Sequence, residues 1–142
     1  MRQYVIKKWI SLLFLAFLPL VLHAQETTDS LFRGKFKNTE YNIQSHINLY
    51  DESIEVPGLE LETCYGYLQG RINGCWMILK VKEIKGNTAV VRAVSERGSD
   101  AQDLKLKITE EGLEIEQTEG YIKGIKGNKY VKLPKKLVLA KQ

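Results

Sequence analysis

The chain has 142 residues, with 21 Lys+Arg against 17 Asp+Glu and a formal net charge of +4. That length fits one domain with a modest core. Three of the basic residues, Arg2, Lys7 and Lys8, fall in the first 24 positions, which hold no acid, so the rest counts 18 basic against 17 acidic residues, a net of +1. A charge this close to balance gives no electrostatic case for nucleic acid.

The N-terminal segment is basic first and apolar after. Residues 9–22, WISLLFLAFLPLVL, form a 14-residue run without charge, followed by Ala24 and the polar QETTDS. A spanning helix needs about 20 apolar residues, so the pattern predicts a secretory signal peptide over 1–24 rather than an anchor. Cleavage is expected after about Ala24, with export to the periplasm or the extracellular space and no stable membrane insertion afterwards. Residues 25–30 read as a flexible leader and 31–142 as a single β domain.

From Leu31 onward the apolar residues recur with a period of two, and no segment holds a helical period. Residues 43–49 alternate Ile43, Ser45, Ile47 and Leu49 with polar neighbours. Shorter candidates follow at 54–56 and 59–67. Residues 76–84 and 88–94 flank the turn signal Lys85-Gly86-Asn87. Residues 103–109, DLKLKIT, and 113–117, LEIEQ, flank Glu110-Glu111-Gly112 and read as a hairpin with its apolar side inward. Residues 120–126, 129–133 and 137–140 complete the set. Roughly eight to ten short strands with short links predict an all-β fold, a single antiparallel meander closed into a barrel, with a β-sandwich as the alternative. The opening LFRGKF, with Phe32, Gly34 and Phe36 on one face, resembles the first strand of lipocalin-like barrels. The likeness covers six residues, lacks the tryptophan usual there, and brings no site residue with it.

Cys64 and Cys75 are the only cysteines, with ten residues between them. Export favours a disulfide. A zinc site pairs cysteines two to four residues apart and needs further ligands, and His46 is the one histidine beyond the signal segment; no metal is expected. Register bears on the bridge. A turn centred on Gln69-Gly70 sets Cys64 opposite Cys75, whereas one on Asn73-Gly74 sets Cys75 opposite Ile72 and leaves Cys64 about eight residues, roughly 27 Å, away. Parity opposes the bridge: Cys64 goes with Glu60 and Glu62 toward water, while Cys75 goes with Met77, Leu79 and Val81 toward the core. A bulge near Gly66 would reconcile the two. If formed, the bridge would add roughly 2.5–3 kcal/mol.

Catalytic signatures are absent from the sequence. His46 sits among Asn and Gln on the polar side of its strand, and no nucleophile elbow, zinc-protease, P-loop or dinucleotide motif occurs. The Gly124–Gly127 stretch GIKG reads as a turn or bulge. Asp51, Glu52, Glu55, Glu60 and Glu62 cluster, but carboxylates on one short loop seldom straddle a substrate. Glu96, Asp100 and Asp103 lack calcium-loop spacing. From Tyr121 to the last residue there are seven lysines and no acid. These lysines form either a stripe for an anionic glycan, headgroup or acidic protein, or a solubilising guard on an edge strand.

No catalytic residue and no cofactor is therefore assigned. The first expectation is a non-enzymatic binding module for a small or glycan-like ligand, using Tyr65, Tyr67 and Trp76 in a cavity, with Tyr121 and Tyr130 as further contacts. The second is an inhibitor or immunity-type factor against an extracellular protein, with a filled core and a protruding loop at 95–103 or 51–60. A small hydrolase is the remote third.

Overall fold

A computed structural model describes residues 30–60, 62–97 and 100–142. The expected signal segment, and residues 25–29 of the leader, lie outside these. The alternating runs become ten strands: β1 Arg33–Asn38, β2 Ile43–Asn48, β3 Gly66–Gly70, β4 Trp76–Lys85, β5 Thr88–Ser95, β6 Ala101–Thr109, β7 Gly112–Gln117, β8 Lys123–Lys126, β9 Lys129–Lys132 and β10 Lys136–Lys141. Eight of them close an antiparallel barrel in the order β1-β10-β7-β6-β5-β4-β3-β2, and β8 and β9 form a separate two-stranded sheet. The expected barrel is thus the fold, as a meander interrupted once by a hairpin. Phe32–Gln142 cluster as one compact unit.

The period-two pattern fills the barrel. Along β5, Ala89, Val91, Ala93 and Ser95 turn inward, and along β6 Gln102, Leu104 and Leu106 do so. Leu113, Ile115, Leu137 and Leu139 complete the far wall. Each Leu or Ile buried this fully contributes roughly 1.5–3 kcal/mol. The turn after β6 requires glycine. Gly112 has φ +132°, and a Cβ there would lie 2.2 Å from the Leu139 carbonyl oxygen on the adjoining β10, so any side chain pushes apart two barrel strands.

β4 departs from the expected parity. Trp76 and Ile78 pair with Ser95 and Ala93, but the register then slips between Ile78 and Lys80 and again between Val81 and Glu83. Each bulge inserts one residue. The β5-facing inward positions become 76, 78 and 81, and Leu79 is left half exposed. Cys75 and Met77 therefore face outward, not inward as their shared parity with Val81 suggested.

Residues 49–65 are not the two strands expected. Residues 49–60 and 62–65 form a lobe against the outer face of β3 and β4, with Ile54 and Cys64 exchanging backbone hydrogen bonds of 2.9 Å in an isolated bridge. Ile54, Val56 and Cys64 from the lobe meet Tyr67, Cys75 and Met77 from the barrel wall in a second small core, with Leu59 packed at its side. Gln69 Nε2 donates to the Pro57 carbonyl at 3.2 Å and ties the lobe down. Both faces of β3 are thereby buried, which is why CYGYL shows no alternation.

Candidate functional site

Among the described residues the barrel interior is closely filled around one small void. The void bounded by Leu68, Trp76, Ile78, Leu104, Leu106 and Ile115 measures about 10 Å³, at the limit of what one water needs. Trp76 is itself a filling residue, paired with Leu68 and Ser95. Tyr67 lies under the lobe, and Tyr65 is half-buried with its N–H donating to Ile78 O at 3.0 Å. Of the three aromatics expected to line a cavity, Tyr67 and Trp76 both border this small void, and Tyr65 is not among its lining residues.

The cysteine register is corrected as well. Tyr67 opposes Met77 and Leu68 opposes Trp76, a pairing that falls between the two turns considered. Cys64 and Cys75 are free and buried. The Cys64 thiol donates to Gly66 O at 3.2 Å, and burial raises its pKa. Burial, with Glu96 and Cys64 adding to it, pushes the Cys75 thiol up to about 12. Thiols this short of thiolate are inert. In the native protein at pH 8 neither cysteine should react with iodoacetamide, and both should react once the chain is unfolded. A chain that takes no label after unfolding and weighs about 2 Da less would carry the bridge instead.

The carboxylates divide by partner. Asp51, Glu52, Glu55, Glu60 and Glu62 are all exposed on the lobe. Asp103 pairs with Lys82 Nζ at 2.7 Å and Arg92 Nη1 at 3.1 Å, and Arg92 also holds Glu119 at 2.9 Å. Lys82 beside it, with Arg92, keeps the Asp103 carboxyl below its ordinary range. Glu96 Oε1 accepts from the Cys75 N–H at 2.8 Å. These oxygens hold the wall and its loops together. Of the two loops expected to protrude, 51–60 lies within the packed lobe. Residues 98 and 99 of the other lie outside the described residues, while Ser95 N–H donates to Asp100 O at 2.9 Å across its base.

Among the described residues, charged side chains line hollows on the outer wall. One of about 300 Å³ is lined by Lys105, Lys107, Glu114, Glu116 and Lys136, where register sets Lys107 opposite Glu114 and Glu116 between Lys105 and Lys136, so its charges compensate. Another, of about 330 Å³, is lined by Lys35, Lys37, Gln44, His46, Tyr67 and Gln142. Burial and then Lys35 lower the His46 pKa, favouring a neutral ring, which meets Tyr67 edge-on at 6.2 Å.

The β8–β9 hairpin is different. It projects at the barrel end where β3 leaves and β4 enters, and its register opposes Lys123 to Lys132 and Lys126 to Lys129. Like charges directly opposed across a strand pair are destabilising, and no ion pair joins these four lysines to an acid among the described residues. Tyr121 and Tyr130 are 54% and 63% exposed, the most exposed large apolar side chains described. Lys132 Nζ lies 5.0 Å from the Tyr121 ring centre, and Lys123 Nζ lies 5.9 Å from that of Tyr130. Of the five aromatic residues expected to bind, these two alone come together on one accessible surface.

The hairpin is held firmly. Asn73 N–H donates to Lys123 O and Ile125 N–H to Arg71 O, both at 2.8 Å. The Arg71 guanidinium donates back to Ile125 O at 3.3 Å and Gly127 O at 3.2 Å. Beneath, Ile122 and Leu133 are buried. The Gln117 amide accepts from Ile122 N–H and donates to Leu133 O at 3.5 Å and Pro134 O at 3.0 Å. Comparison with protein-family models, with curated proteins and with solved structures finds no match. Neither Arg71 nor Gln117 stood out in the sequence. Arg71 is an isolated charge in a loop, and Gln117 is one more polar residue at a strand end; only their distant partners reveal what they do.

Proposed function

We propose that this chain is an exported, non-enzymatic binding protein in which the barrel is a filled scaffold and the β8–β9 hairpin, with Tyr121, is the contact surface for an anionic partner. The supporting observation is the pair of opposed lysine levels, uncompensated by acid and set beside two exposed tyrosines on a hairpin bonded to the barrel at both its edge and its base. Rigid placement spares the ordering cost of binding. Export rests on the n-region and apolar run of the first 24 residues. An inhibitor that docks on an extracellular protein is the second reading, favoured by the filled core and the projecting hairpin.

Two measurements test this. The intact mass of the protein recovered from its own source should correspond to a chain beginning near Gln25; the full-length mass would defeat export. Amide shifts on titration with a soluble polyanion should concentrate in 121–132 and 71–73 and vanish in the K123E/K132E variant. Shifts centred on the His46 hollow, or none, would sink the proposed surface.

A further inference from the structure

Resting on that reading of the surface, we infer that its ligand is a linear acidic glycan, a chain of sugar rings bearing carboxylate or sulfate groups, laid along the outward face of the β8–β9 hairpin.

Paired residues of an antiparallel ladder share a face, so Lys123, Ile125, Tyr130 and Lys132 lie on one side of the hairpin and Gly124, Lys126, Lys129 and Val131 on the other. The second side is the one turned to the barrel, since Gly124 is buried and a Cβ on it would come 2.7 Å from Leu133 Cδ2. The outward side therefore carries two repeats of one unit, an exposed phenol ring with an ammonium over it: Tyr130 with Lys123, and Tyr121 with Lys132. A sugar acid offers the matching pair of features. Its ring presents a flat C–H face that stacks on an aromatic plate, and its acid group meets an ammonium. On that side the Lys123–Lys132 level stands two residues from Tyr130, roughly 7 Å at ~3.4 Å per residue, about the scale of one sugar ring and its linkage, while Lys126 and Lys129 lie on the opposite side at the tip.

Other anionic partners use only part of this surface. A peptide of acidic residues alone meets the cations and leaves the plates unused. A membrane needs an apolar tip to enter the bilayer, and the tip here is Lys126-Gly127-Asn128-Lys129, all exposed.

The test is a titration of the barrel domain at fixed ionic strength, followed by amide shifts, with three probes: a short polygalacturonate, a polyglutamate of matched charge, and phosphatidylglycerol vesicles. The expected result is that polygalacturonate binds best and shifts the hairpin. The Y121A/Y130A variant, which keeps every charge and alters only exposed side chains, should weaken polygalacturonate by about tenfold while leaving polyglutamate unchanged. K123Q/K132Q should weaken both. Equal binding of the two polymers, insensitive to the tyrosine changes, would overturn the glycan while leaving the anionic surface standing. Preferential binding to vesicles would overturn it in favour of a lipid surface. If no probe shifts the hairpin, the underlying reading of the surface falls too.

Discussion

Replacing Gln117 with leucine should release the hairpin from the barrel and destabilise the domain by about 2–4 kcal/mol. Gln117 is buried at the end of β7 and joins three backbone groups that have no strand partner: the Ile122 N–H and the carbonyls of Leu133 and Pro134. Leucine fills the space and satisfies none of them, and a buried polar group without a partner bears its full desolvation penalty. Urea unfolding should read the loss, and hydrogen exchange should place it. The amides of 121–133 should lose protection first, while those of β5 and β6 keep theirs until global unfolding. Uniform loss of protection would mean that Gln117 supports the barrel generally and does not act as a latch.

The largest effect is expected at Leu106. Its side chain is almost wholly buried on β6 and borders the small interior void, facing Ala89 across the β5–β6 register and Ile115 across the β6–β7 register. Leu106→Ala enlarges that void in a wall whose backbone is held on both sides, so the site collapses little, and a loss of about 3–5 kcal/mol follows. Against a typical domain stability of about 5–15 kcal/mol this brings the chain near unfolding. Tyr130→Ala, on the exposed hairpin face, should stay within about 0.5 kcal/mol. Urea midpoints of the two variants at equal slope make the comparison, and a similar loss in both would contradict the division between scaffold and surface.

Legibility in the sequence follows how local each interaction is. The β6–β7 hairpin was readable because its alternation, its glycine and its register lie within fifteen residues, and Thr109 indeed opposes Gly112. Barrel closure followed from many strands with short links. The interior face of β4 was not readable, because two bulges shift the parity and a bulge leaves no mark in the apolar pattern. Ile54, Val56 and Cys64 looked like strand residues since they are apolar at alternate positions, yet what buries them is the outer wall of β3 and β4. Asn73-Gly74 looked like a two-residue hairpin turn. Gly74 does adopt φ +79°, but the Asn73 N–H is taken by Lys123, fifty residues on, so the loop is long and the register falls elsewhere. At the candidate site, the lysine run and both tyrosines were visible. The grouping of Lys123, Lys132, Tyr121 and Tyr130 on one face, and the separation of Tyr65 from the others, depended on packing.

The barrel is shut by its first strand meeting its last. Phe36 and Lys37 of β1 pair with Lys141 and Ala140 of β10, and Asn38 Nδ2 reaches the Val138 carbonyl at 2.9 Å across 100 residues of chain. During synthesis β1 can pair with β2 as soon as both are made, and its other edge stays bare until β10 emerges. Closure is the final and most distant contact, so the loop it closes makes it slow. In that interval the open edge is a template for other chains. Lys35 and Lys37 on β1 give the waiting edge the positive charge that discourages sheet-to-sheet joining. The lysines that now only decorate the seam thus have their greatest use before there is a seam at all.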